Sequence, residues 1–415
     1  MRKMIIVITF AVCFIWAEVK VEKVLETTST EEYNQWIVKN KKCLPGLRPI
    51  LVDVEPQSIR GIEDTVNAEH KIYYYSDSGR LLKREIIKYP HTYFYIPLTL
   101  DRIIVTKSYG YKSGTKEEYT VKNSQGETIF EPQSFVSYIG MGLYIESHIS
   151  EGDIPDGIDA RVFDHNYNEI GVIKDLAGVD LSQLRIAYDE RYAVFRGMVG
   201  SRRPVICINK KGETVWRKEF EPSVSELFIS ADGTRIGIHH GNHITILNED
   251  GSLISTFTPF GQIRAFKCGI SPNGNYLIAS NFSRPLKLSF YNVATGTMMW
   301  CDDSTLAKNR DVAKSIHIDV KQRIIVLSES NNLYIFDKNG KLEYKQNLNL
   351  GTEMHRVPGE RKNGIVWSKV VEVPARDWFA EVSGEYLIIT LGRGGINDCY
   401  RTVRRRIVYR IVETK

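Results

Sequence analysis

Apolar residues along this chain fall in short runs of roughly four to eight positions, alternating or continuous, separated by tight polar turns. Around Gly212 the chain reads RPVICINKKGETVWRKE, around Gly251 NHITILNEDGSLISTF, and around Gly340 NNLYIFDKNGKLEYKQ. Each is a strand, an Asn or Asp, two polar residues, a Gly and a second strand. The Asn or Asp side chain opens the turn by bonding to nearby backbone, and Gly takes positive φ without steric cost. Seven such turns end at Gly79, Gly126, Asn168, Gly212, Gly251, Gly296 and Gly340. They are 39 to 47 residues apart, with a mean of 43.5. At Asn168 (FDHNYNEIG), Asn stands in for Gly as the residue expected to tolerate the left-handed region.

A repeat of this length built from short strands predicts an all-β fold, a single β-propeller with one four-stranded blade per repeat. A second series of turns, LFISADGTRIGIH, CGISPNGNYLIAS, HIDVKQRIIVLS and FAEVSGEYLIITLG, lies upstream within the repeats and reads as the hairpin between first and second strands. The main series is then the hairpin between third and fourth. SPNGNYLIAS followed by LSFYNVATGTMMW resembles the WD-repeat and quinoprotein-like propeller superfamily, the latter in the strand-turn-strand phrase ending in Trp300. The resemblance spans roughly residues 67–392 and implies the fold, not a subfamily. Seven turns predict seven blades, with 378–391 sharing a blade with the hairpin at 71–87. Eight blades, using 403–412 and a strand near 50–54, is the alternative.

The N-terminus breaks the pattern. Arg2 and Lys3 precede the uncharged run Met4 to Ala17, which reads as a secretory signal peptide too short for a comfortable membrane span. An exported protein is expected, periplasmic, cell-surface or extracellular, with an uncleaved anchor as the alternative. The organisation is a signal at 1–17, an extension at 18–66 with a short helix opened by Ser29 and Glu32, and the propeller at 67–415. With Cys13 removed, five cysteines remain, and a closed ring would bring Cys43 and Cys399 near enough to pair. Cys207 and Cys268 read as small buried hydrophobes. The 55 basic and 50 acidic residues are interleaved, which argues against a nucleic-acid partner.

Antiparallel strand order puts both turn series on one face and the irregular loops on the other, where binding is expected. Candidate residues there are Tyr109, Tyr111, Asp153, Asp156, Arg202, Arg203, Arg284, Asp302, Asp303 and Arg393. For metals, His240 and His243 flank a hairpin, and Asp153 and Asp156 belong to an acidic loop with Glu151 and Asp159. That loop offers oxygens for calcium without the alternating spacing of a calcium loop, and no cofactor is expected. Tyr73, Tyr74, Tyr75, Tyr93, Phe94 and Tyr95 suggest an aromatic platform. No GxSxG elbow or adjacent cysteine pair occurs. The expectation is a monomeric, non-enzymatic scaffold binding a protein or peptide through the irregular face. A channel-centred metal-dependent hydrolase or lyase and a carbohydrate binder are the alternatives.

Overall fold

The computed structural model describes residues 18–414 apart from short internal stretches, the longest being 57–67, 148–157 and 394–401. The signal-like run, Gly126 and Cys399 lie outside the described residues. Among the described residues no helix is long and apolar enough to cross a membrane.

Among the described residues, eight open sheets follow one another along the chain, seven of four strands and one of three. Blade 1 holds Val52–Pro56, Ala68–Tyr75 and Leu81–Tyr89. Blades 2 to 7 begin at Tyr93, Phe135, Gly178, Val224, Phe266 and Ala313, each sheet running antiparallel in chain order. Blade 8 joins Trp378–Ser383, Tyr386–Arg393 and Thr402–Thr414 to the N-terminal strand Glu18–Thr27. The expectation of seven blades is therefore corrected to eight. The error came from counting turns, because blade 8 takes its outer strand from the other end of the chain and has no third turn. The residues read as an extension supply two strands of the ring. Inner strands touch from blade to blade, and Val52–Pro56 contacts both blade 2 and the third strand of blade 8, completing the cycle.

The middle strands are apolar on both faces because each blade is sandwiched between two others. In blade 5, Ile236, Ile238 and Leu247 pack toward blade 4, while Ile244 and Ile246 pack toward blade 6. Outer strands such as Leu253–Phe257 are less covered, with Leu253 and Thr256 exposed and Phe257 buried. The main turns also dock the blades. The Trp216 indole in blade 4 donates to the Glu249 carbonyl of the blade 5 turn at 2.9 Å, and Trp300 in blade 6 donates to Lys338 in blade 7 at 3.0 Å. A methyl group at Gly251 or Gly340 would sit 2.8 Å from that indole. Glycine is thus required there twice, for φ near 80° to 86° and for close approach. At the Asn168 turn the left-handed residue is Tyr167 (φ 62°), not Asn168. Asp164 accepts from the backbone of Asn166 and Asn168, and the Tyr167 ring stacks on Tyr144 and Phe130 at 4.6 and 4.7 Å, offsetting the strain.

Where blade 8 meets blade 1 the seam holds a helix, α1 (Thr30–Asn40). Ser29 caps it by accepting from Glu32 N at 3.2 Å, as the sequence predicts. Tyr33 and Ile37 pack on Tyr386, Ile388 and Val408 of blade 8. On the other side the Gly79 turn of blade 1 abuts the helix backbone at Asn34 and Gln35. Asn34 is fully buried and brackets the Ile50 backbone, with bonds of 2.5 and 2.7 Å. Arg406 of blade 8, 1% exposed, lies over the Tyr33 ring at 4.7 Å and donates to Thr30 Oγ1 at 3.1 Å. The helix is a wedge between blade 8 and blade 1. Replacing Ile37 by Ala should destabilise the fold by roughly 2–5 kcal/mol, against less than about 0.5 kcal/mol for exposed Leu82→Ala. Chemical denaturation of both variants checks this.

Candidate functional site

Strands alternate in direction, so turns joining second to third strands share a face with the connections between blades. The turns at Gly233, Gly274, Gln322 and Gly384 join first to second strands, as the sequence predicts, and lie with the main series on the opposite, uniform face.

Among the described residues, the largest departure on the irregular face is the link from blade 7 to blade 8. It is a hairpin of two long strands, Thr352–Lys362 and Ile365–Pro374, that pair with each other in a two-stranded sheet of their own. The register slips between Pro358 and Arg361, whereas the second strand pairs regularly from Lys369 to Pro374. Neither turn series in the sequence marks this stretch, which lies between the turns at Gly340 and Gly384. The missed signal is the dipeptide Asn363-Gly364, a strong two-residue hairpin mark, before the β-rich run IVWSKVVEV.

Those sequence-predicted residues that are described have local partners of their own. Arg202 pairs with Asp175 at 3.0 Å and Glu219 at 3.3 Å, and Asp175 also meets Arg217 at 3.3 Å. Arg203 donates to the Arg202 carbonyl. These groups tie down the blade 3 to blade 4 connection on the irregular face. Asp302 caps the short helix α2 (Thr305–Lys308), accepting from Thr305 N at 3.2 Å. Tyr109 and Arg393 are strand residues paired with Lys116 and Thr402. Tyr111, Asp153, Asp156, Arg284 and Asp303 lie outside the described residues. Of the acidic loop, Asp159 is engaged by Lys174 at 2.6 Å and by Asp175 N at 2.9 Å, which hold its carboxyl below the usual range. Tyr74 and Tyr75 are buried at 1% and 7%, so these two are core and not a platform, because Ala68–Tyr75 is the central strand of blade 1, paired on both edges.

The two metal candidates in the blade 5 hairpin bond elsewhere. His240 Nε2 lies 2.9 Å from Thr245 Oγ1 and His243 Nδ1 lies 3.0 Å from Thr258 Oγ1. Among the described residues, the group close enough to hold an ion is Glu226, His239 and Cys268, with donor atoms within 4.8 Å of one another. Sequence analysis misses it because the three are 13 and 29 residues apart and meet only through strand pairing and blade packing. Burial raises the Glu226 carboxyl, opposed by Lys267 and Arg185, and pushes the Cys268 thiol well above its usual value.

Further round the inner edge, burial lowers His317 in blade 7 to about 4, and its Nε2 lies 2.5 Å from Ser315 Oγ. Its folded value lies below the ordinary 6.5, so the unfolded chain binds more protons between the two. This contribution, at most roughly 3 kcal/mol, is present above pH 6.5 and is lost as the pH falls toward 4. Denaturation from pH 7 to about 4 should show a shallower loss of stability in His317→Gln than in the parent.

No protein-family model matches the chain, and no curated protein matches it either. Among solved structures it is similar to BamB from Moraxella catarrhalis, at 9% identity and a TM-score of 0.43, over 87% of this chain and 99% of that one. It is also similar to KlHsv2 with loop 6CD replaced by a Gly-Ser linker, at 13% identity and a TM-score of 0.38, over 68% of this chain and 94% of that one. Both likenesses are distant, and neither singles out a subfamily.

Proposed function

We propose that this protein is a non-enzymatic propeller scaffold that binds a protein or peptide partner through its irregular face, with the hairpin at 352–374 as a principal element. The observation that carries the reading is the asymmetry of the two faces. One is kept uniform by turns that double as blade-docking contacts, as at Gly251 and Gly340, and has little freedom to vary. The other carries a hairpin whose strands of 11 and 10 residues exceed most of the blade strands. Irregular elements on a rigid scaffold are where recognition concentrates. A two-stranded sheet also has unpaired main-chain groups along its edges, suited to an extended peptide.

An enzyme at the inner edge draws less support. Cys268 is buried and its thiol is pushed toward the protonated form, the opposite of an activated nucleophile. A carbohydrate platform loses Tyr74 and Tyr75 to the core.

The test uses the full chain and a variant in which residues 352–374 are replaced by a short Gly-Ser loop, purified from the native host under mild conditions. The parent should retain a stoichiometric partner, the loop variant should lose it while unfolding normally, and Lys210→Ala with Lys211→Ala on the uniform face should keep it. Equal retention by the loop variant would overturn the role given to the hairpin. Absence of any partner from the parent would overturn the scaffold reading.

A further inference from the structure

The geometry points to a zinc-class divalent metal site built from Glu226, His239 and Cys268, bridging blades 5 and 6 at their inner edge, and this proposal is independent of the partner-binding reading. Glu226 and His239 are cross-strand neighbours on the first and second strands of blade 5. Cys268 comes from the first strand of blade 6, with Sγ 3.8 Å from Glu226 Oε2. Carboxylate, imidazole and thiolate are the donor types zinc takes, and their mutual separation within 4.8 Å allows one ion between them after small side-chain movements.

Two further features fit. His239 Nε2 lies 3.2 Å from the Gly241 carbonyl oxygen. Donating its proton there leaves the lone pair on Nδ1, the arrangement that orients metal-binding imidazoles. His239 and Cys268 are buried at 3% and 8%, whereas Glu226 is only partly buried, so the ion would keep a fourth position on the Glu226 side for water. Binding ionises the thiol and the carboxyl, and each proton displaced passes to solvent. Thiolate and carboxylate then balance the two positive charges of the ion. Lys267 and Arg185, whose fields act on Glu226, oppose the metal. Their presence makes affinity adjustable in a predictable direction.

The test is titration of chelator-treated full-length protein with Co²⁺, which reports thiolate ligation through a charge-transfer band, followed by displacement with Zn²⁺. The parent should develop the band at one equivalent and lose it on zinc addition. Cys268→Ser should abolish the band, and His239→Ala should weaken binding by more than about tenfold. Lys267→Met should tighten it. Circular dichroism and thermal melts in chelator establish that each variant is folded, and Lys267→Met keeps the test informative if a ligand variant is not. A band that survives Cys268→Ser, or the absence of any band in the parent, would overturn the site.

Discussion

Everything in this molecule depends on closing a ring of blades. A blade sandwiched between two neighbours buries both faces of its middle strands, but the first and last blades can do so only by meeting each other. Here the meeting is made by the N-terminal segment. Glu18–Thr27 pairs along Thr402–Thr414, from Glu18 opposite Thr414 to Thr27 opposite Arg406, and completes blade 8. Helix α1 then turns back into the gap. It offers Tyr33 and Ile37 to blade 8, and its own backbone and Asn34 to blade 1. The largest fully buried side chain among the described residues, Arg406, is accommodated because an aromatic face and a hydroxyl from the helix receive it.

Ring closure explains the division of labour between faces. Docking between blades uses the turns of the uniform face, where Trp216 and Trp300 each span an interface to a turn carbonyl and a glycine. A turn that must leave room for an indole and donate its carbonyl cannot also diversify for recognition. The opposite face carries links that need only reach the next inner strand. The hairpin between blades 7 and 8 can grow there without disturbing the core shared by the two blades.

The inner edge holds a different economy. First strands carry Arg185, Glu226, Lys267 and His317 on the successive blades 4 to 7, and the charges of Lys267 and Arg185 act on Glu226. Low solvent access shifts these groups away from their ordinary behaviour, raising the Glu226 carboxyl and lowering the His317 imidazole. The chemistry there is a consequence of packing, since no two of these residues belong to one blade. A search for local motifs passes over them for that reason.

The strand-turn-strand phrases, the two turn series and the capped helix were legible because each is written within a dozen or so residues and follows from turn chemistry and strand alternation. The hairpin is legible too, in Asn363-Gly364, a mark that lies outside both turn series. Blade number was not, since Glu18–Thr27 meets Thr402–Thr414 across nearly the whole chain and no local pattern records that pairing. The left-handed residue at the Asn168 turn was decided by burial of the Tyr167 ring, a tertiary contact outweighing a local preference. By itself, then, the sequence determined the class of fold, its repeat and which face is uniform, all local properties of backbone and turn. Only the tertiary structure decided how the ring closes, which loops are engaged and which buried side chains meet, because those depend on contacts between blades distant in the chain.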